Sequence, residues 1–262
     1  MENFTKKSLN GDYGACVEAV DWATKCLLHE FRKCGIEKNT LIIFTSDNGS
    51  RGDNGSSNYP LKGTKGTTWE GGIRLPCILH WPGHISPGRV CGDILSSIDF
   101  LPTFAALCGV TLNADVIIDG FDFSELLTNI NASSKRKTFF YYFKNDLEAV
   151  REGDWKLHVR KRVIREGEYD IHESIRGEEM RGLYNLRDDI GEENNLYTQN
   201  PEIVRRLEKL LEQCRIDLGD AALGIKGKRI RPIGRVENPK PLTEYDENHP
   251  YIVAVYDRPE CG

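Results

Sequence analysis

The stretch SDNGSRGDNGSSNYPLKGTKGTTWEGG, Ser46 to Gly72, follows directly on the apolar run LIIFT, Leu41 to Thr45. A continuous apolar run of this length predicts a buried strand. Asp, Asn and Gly then stand at its carboxyl end, ahead of a flexible loop in which Lys65 lies between Gly63 and Gly66. Carboxylate and amide oxygens at a strand's end are hard ligands that suit Ca²⁺ or Mg²⁺. A lysine without bulky neighbours is a point charge able to reach an anion. The pattern therefore suggests an ion site at Asp47 and Asn48 beside an anion site at Lys65. Taken singly, Asp-Asn-Gly is also a common turn, and a glycine-flanked lysine a common solvated loop residue.

Working outward, Gly11 to Cys34 carries Cys16, Val20, Ala23, Leu27 and Phe31 at steps of three or four, which predicts an amphipathic helix ended by Gly35. A helix followed by a doubly apolar strand points to a sheet covered on both faces, hence an α/β fold. PCILHWPG, Pro76 to Gly83, predicts a second buried strand, and Ile98 to Cys108 a short helix capped by Asp99. From about Lys135 the texture changes. TFFYYF, WKLHVRKRV and GLYNL predict an antiparallel sheet, followed by an amphipathic helix over Pro201 to Leu218. The expected division is therefore residues 1–135, an α/β portion, and residues 136–262, a smaller sheet-and-helix subdomain ending in an extended, proline-rich arm.

The chain has 262 residues, 39% hydrophobic and 29% charged, with a net charge of -5. That balance argues against a general nucleic-acid binder, and no apolar run approaches a membrane span. MENFTKKSLN lacks the apolar core of a signal peptide, so a natural start at Met1 implies the cytoplasm, and a different start the periplasm or secretion. The eight cysteines show no paired spacing, and their setting in apolar runs such as PCILHW and AALCGV predicts reduced, buried thiols.

Together, TLIIFTSDNG, LKGTKGTTWEGGIRLPCILHWPG and SSIDFLPTFAALCGV resemble the later part of the sulfatase family, whose fold is alkaline-phosphatase-like. REGDWKLHV, GLYNLRDDIGEENNL and the helix after them are similar to the family's smaller C-terminal subdomain. The resemblance runs from Asp12 to roughly Leu218, and KGTTWEGG is its most specific segment. It implies hydrolysis of sulfate esters, with Asp47 and Asn48 as calcium ligands and Lys65 on the sulfate. It also implies structural roles for Glu70 as a loop anchor, Arg74 in a packed ion pair and Asp99 as a helix cap.

A sulfatase makes its nucleophile, a formylglycine, from Cys or Ser in a C/S-x-P-x-R run. No cysteine here has proline two positions on, and the nearest serine match, Ser133-Ser134-Lys135-Arg136, has no proline. The family's Asp-Asp pair and its leaving-group histidines and lysine have no counterpart either. Asp188-Asp189-Ile190-Gly191 imitates the pair but follows LYNLR in the C-terminal sheet. The reading is a sulfatase portion whose partner is the missing N-terminal half of the same enzyme, with three explanations open: a fragment, which leads, a chain that pairs with a separate N-terminal half, or a degenerate, non-catalytic relative.

In the strand Trp155 to Val163, Lys156, His158, Arg160 and Arg162 alternate with Leu157, Val159 and Val163. That face suggests substrate contacts from His158 and Arg160 to a sulfated carbohydrate, or else a solvated outer face. The cluster Lys226, Lys228, Arg229, Arg231 and Arg235 reads as a solvated arm. Two alternatives stay open: a non-catalytic binder of sulfated glycans, and a phosphoester or phosphonate hydrolase of the same superfamily.

Overall fold

The structure, a computed structural model, describes Phe4 and residues 8–161, 178–232 and 234–238. The chain divides into two units, Met1–Lys228 and Arg229–Gly262. The division expected between residues 135 and 136 thus falls inside the first unit. Arg162, Val163, the strand-like YIVAVY and Cys261 lie outside the described residues.

In the first unit, helix α1 spans Gly11–Lys33 and strand β1 Ile42–Thr45. A single-turn helix α2, Glu70–Ile73, precedes strand β2, Cys77–His80. Helices α3, Phe100–Leu107, and α4, Ser124–Thr128, complete this part. Strands β1 and β2 form an antiparallel pair in which Ile43 lies opposite Leu79. Beneath them Leu41, Leu79, Phe100 and Leu107 pack on Phe123, Leu126 and Leu127.

The four strands β3, Thr138–Phe143, β4, Asp146–Glu152, β5, Trp155–Lys161, and β6, Glu178–Asn185, form one antiparallel sheet in chain order. Helix α5, Pro201–Leu218, begins with proline at a position where its missing N–H is harmless, and its apolar stripe covers one sheet face. Leu147, Val150, Leu157 and Leu183 meet Val204, Leu207, Leu211 and Cys214 there, in the main core of the molecule. Two short strands after the helix, β7, Gly219–Asp220, and β8, Ile225–Lys226, pair with each other. The predicted arm therefore starts later than its composition suggested. No helix among the described residues is long and apolar enough to cross a membrane.

Several expectations about burial are corrected. None of the predicted α1 stripe is buried: Val20 is 53% exposed, and Ala15, off the stripe, is the one buried residue of the helix. Strand β2 is not a buried strand: Cys77 and His80 are exposed, and Ile78 is 61% exposed. Periodicity reports which residues share a face, but not whether anything covers it. The same limit overturns the reading of the cysteines. Cys16, Cys26, Cys34, Cys77, Cys91 and Cys108 are exposed free thiols, and Cys214 alone among the described cysteines is buried.

Asp99 caps differently from the sequence expectation. Its carboxylate accepts the N–H groups of Ser96 (2.9 Å) and Phe121 (2.8 Å) and a bond from Arg136 Nε (2.9 Å), and none from α3. Burial alone would raise the Asp99 carboxyl. The bonds from Arg136, Phe121 and Ser96 outweigh it and hold the group below its ordinary value. Arg74, expected in a packed ion pair, is exposed instead.

Leu207→Ala is expected to lower stability by about 2–5 kcal/mol, because it opens a cavity between α5 and the sheet. Val20→Ala, on the uncovered stripe, should change it by less than about 0.5 kcal/mol. Urea unfolding midpoints of the two variants check both, and similar losses would place Val20 in a core.

Candidate functional site

The loop from Ser46 to Gly72 holds its shape through backbone-to-backbone contact. Gly49 N donates to Gly72 O at 3.0 Å, Lys65 N to Ser50 O at 2.9 Å, and Gly71 N to Lys62 O at 2.7 Å. Asn58 ties the middle together, with Nδ2 donating to Ser50 O at 2.8 Å and to Gly63 O at 3.0 Å. Gly49 is required by proximity, because a Cβ there would sit 1.7 Å from Gly71 O. Gly66 is required by conformation, since its φ is +87°.

These bonds bring together three of the five residues singled out by sequence. Asp47 and Asn48 lie just past the carboxyl end of β1, and the segment carrying Lys65 is tied to Ser50, two residues beyond Asn48. Asp47 and Lys65 are exposed and Asn48 is half-buried. The donor chemistry of Asp47 and Asn48 suits a hard cation, but two residues are a small part of a six-to-eight-oxygen shell. Among the described residues no group of three His, Cys, Asp or Glu comes together to hold a metal.

The other two, His158 and Arg160, are elsewhere. The expected exposed basic strip on β5 is absent: Lys156 and His158 are both 0% exposed and Arg160 is 5%. The side chains of β5 alternate between two faces, and both are covered. Leu157 faces α5, while Lys156 and His158 face the segment Thr67–Gly72. Arg160 lines a separate cleft of about 580 Å³ with Glu179, Arg181 and Tyr197.

What fills that second sheet face is a buried cluster of charges. Lys156 Nζ donates to Thr68 O at 2.8 Å and to Glu70 Oε1 at 2.9 Å, and lies 3.0 Å from Glu192 Oε1. Three acceptors meet three ammonium hydrogens, so the buried cation is fully satisfied. Its charge also sits 4.1 Å from the centre of the Tyr141 ring. Glu70 further accepts the Tyr141 hydroxyl at 3.1 Å and lies 3.5 Å from Arg151. Glu192 Oε2 accepts the Glu70 N–H at 2.7 Å, and the Thr68 hydroxyl donates to Glu148 at 2.8 Å. The hydroxyls of Thr67 and Thr68 are thus occupied inside the protein, the former by Thr64 O at 2.7 Å.

His158 Nε2 and Glu192 Oε1 are 2.9 Å apart, and the imidazole stacks at 4.2 Å on Trp69. Burial first, then the Lys156 ammonium, pushes the imidazole below its ordinary value, against the pull of Glu192. The ring is therefore neutral at neutral pH, and its Nε2–H donates to the carboxylate. Burial would raise the Glu192 carboxyl, but the His158 bond, the Lys156 charge and the Glu70 N–H together hold it below its ordinary value. Sequence reasoning took Glu70 for an anchor, which it is, and passed over Glu192.

Asp188-Asp189 is not a metal pair. Asp189 accepts the N–H groups of Glu193 (3.0 Å) and Asn194 (2.8 Å), and Asp188 accepts Asn185 Nδ2 at 3.0 Å. Both shape the turn that presents Glu192.

A mixed α/β unit with an Asp-Asn-Gly turn beside a glycine-flanked lysine defines a class, and comparison with known proteins gives its name. The Sulfatase family profile matches residues 2–110, and the profile "N-sulphoglucosamine sulphohydrolase, C-terminal" matches residues 64–217. The chain belongs to the sulfatase family, and its structural neighbours are sulfatases of the alkaline-phosphatase-like fold. Human arylsulfatase A is 35% identical over 226 residues, which cover 80% of this chain and 44% of that protein. The PsFucS1 sulfatase from Pseudoalteromonas sp. superposes with a TM-score of 0.69 at 30% identity, over 76% of this chain and 41% of its own. A structure solved in complex with its substrate, D-glucosamine-2-N,6-O-disulfate, superposes with a TM-score of 0.56 at 26% identity, over 78% of this chain and 40% of its own. The chain thus spans less than half the length of these relatives.

The depressed values of His158 and Glu192 fix the direction of the pH response. Below the ordinary histidine value of 6.5 the unfolded chain binds a proton that the native imidazole refuses. Stability is therefore full above 6.5 and declines as pH falls. Glu192 adds a second decline below its ordinary value of 4.5, completed as pH passes through its lower native value. Urea midpoints measured from pH 7.5 to 4 should fall in that order, and His158→Gln, which keeps a donor but does not titrate, should flatten the first part.

Proposed function

We propose that this chain is the portion of a sulfate-ester hydrolase that carries one side of the calcium site and one sulfate contact. Asp47 and Asn48 supply oxygen ligands to the cation, and Lys65 binds a sulfate oxygen and stabilises charge that develops in the transition state. The observation that carries this reading is the backbone bond of 2.9 Å from Lys65 N to Ser50 O, which holds the lysine's segment against the Asp-Asn-Gly turn. Calcium, when bound, would lower the cost of negative charge at the reacting group. The nucleophile, a formylglycine, would come from residues other than these, since no C/S-x-P-x-R run is present.

The complementary partner is the other part of the sulfatase domain, roughly the half or more of each relative that this chain does not match. The uncovered apolar residues of α1, β1, β2 and α3 support this. Val17, Val20, Leu27, Phe44, Ile78, Leu101 and Phe104 are all exposed, more apolar surface than a finished domain leaves in water. For the substrate, a sulfated carbohydrate or an aryl sulfate fits the names of the relatives. Burial of Lys156 and His158 takes support away from a mere glycan-binding role for the β5 face.

The isolated chain is expected to hydrolyse no aryl sulfate above background and to bind Ca²⁺ weakly. Completed with an upstream sulfatase portion that carries the C/S-x-P-x-R run, it should turn over an aryl sulfate in preference to the matching aryl phosphate. Lys65→Ala should then lower kcat by about 10²–10³, as loss of a single charge-stabilising donor does. Asp47→Ala should abolish calorimetric Ca²⁺ binding by the completed protein. Saturable turnover by the isolated chain, or Ca²⁺ binding that survives Asp47→Ala, would overturn the assignment.

A further inference from the structure

Glu192 touches both ends of the loop that carries Lys65, through two different parts of the residue. Its carbonyl oxygen accepts Lys62 Nζ at 2.9 Å, at the loop's start. Its carboxylate accepts the Glu70 N–H at 2.7 Å, at the loop's end. Between those anchors Gly71 N donates to Lys62 O at 2.7 Å, which closes the loop on itself. The Lys62 ammonium also lies 4.3 Å from the centre of the Trp69 ring, so the loop's start is held on its own far end as well.

Glu192 is itself fixed from several directions. It is 0% exposed, and its Oε1 takes both Lys156 and His158, which belong to the rigid middle of the sheet. Its backbone sits at φ +53°, a conformation that residues other than glycine keep only where the surroundings impose it. A turn built by Asp189 presents it, and Gly191, beside it, lies so close to Pro60 that an added Cβ would sit 3.1 Å from Pro60 O.

We propose that Glu192 is a positioning residue that clamps the Lys62–Glu70 loop to the C-terminal sheet and thereby sets where Lys65 stands. The proposal rests on the sulfatase reading only for what Lys65 does; the clamp itself is a statement about the loop. Lys156 and His158 hold the carboxylate, and the carboxylate and carbonyl hold the loop. Rigid support of this kind is what a charge-stabilising group needs, since a misplacement of about 1 Å costs on the order of 100-fold in rate.

Native-state hydrogen exchange on the full chain tests the clamp directly. Glu192→Gln keeps the size but offers one acceptor oxygen where three donors converge. Exchange at the Lys65, Glu70 and Gly71 amides should quicken at least 10-fold, while amides of β3, β4 and α5 keep their protection. Lys62→Met, at an exposed position outside the buried charge cluster, should quicken Gly71 while leaving the sheet untouched. Loop amides unchanged in both variants, or loop and sheet amides quickened alike in both, would overturn the proposal. In the completed enzyme Glu192→Gln should lower kcat for an aryl sulfate at least 10-fold with KM changed less than threefold, and Glu192→Asp should recover part of that loss. An inactive completed enzyme would sink the sulfatase reading alone, because the exchange result decides the clamp without reference to turnover.

Discussion

The Lys156 ammonium, wholly removed from water between Glu70 and Glu192, is the contact on which the rest of the molecule depends. A buried charge is tolerated only when every hydrogen finds an acceptor and opposite charge lies close. Here the acceptors come from two stretches far apart in the chain: Thr68 and Glu70 from the glycine-rich loop, Glu192 from the turn after β6. Satisfying the lysine therefore requires the loop and the C-terminal sheet to meet in one register. Apolar contact between Trp69, Tyr184 and Leu186 adds adhesion but would allow sliding. Directional bonds from a cation at the centre do not.

This explains why the sheet has two kinds of face. On one, Leu147, Leu157, Leu183, Leu207 and Leu211 meet with no polar group among them, and burial of apolar area drives association. On the other, Glu148, Lys156, His158 and Tyr141 carry polar atoms that bond to the 67–72 segment or to Glu192. The first face makes the subdomain stable. The second ties the 67–72 segment to the sheet.

Much of the scaffold could be seen in the sequence because it depends on local periodicity. Residues 201 to 218 carry proline at the start and an apolar step of three or four, and α5 forms there. TFFYYF and WKLHVRK alternate as strands do, and both lie in the antiparallel sheet. What could not be seen is which faces are covered. Lys156 and His158 on alternate positions look like a wet strand face until Glu70 and Glu192, distant in sequence, are found on top of them. Conversely, Ile78 and Val20 look like core because they are apolar and periodic, yet nothing in the described residues covers them. Local pattern sets an element's faces; only long-range contact sets their environment. The candidate site divides the same way. Asp47, Asn48 and Lys65 stand out in the sequence by their side-chain chemistry, whereas the bond between Lys65 N and Ser50 O and the bond from the Glu70 N–H to Glu192 do not.

The division of exposed and buried surface follows the same logic as the division of the site. Apolar residues stand uncovered on α1, β1, β2 and α3, and β1 is the strand whose end carries Asp47 and Asn48, where the proposed cation would need more ligands than these two supply. A single complementary surface would meet both needs at once. It would bury the apolar stripe for stability and bring carboxylates to the cation for chemistry, so that binding of the ion and completion of the fold become one event. The C-terminal sheet stands apart from this dependence. Its core is closed by α5, and its charged face is closed by the loop, with Lys156 and His158 both paired to Glu192 inside. The segment that carries Lys65 is thereby tied by contacts internal to this chain, while the cation site proposed at Asp47 and Asn48 would draw its remaining ligands from outside it.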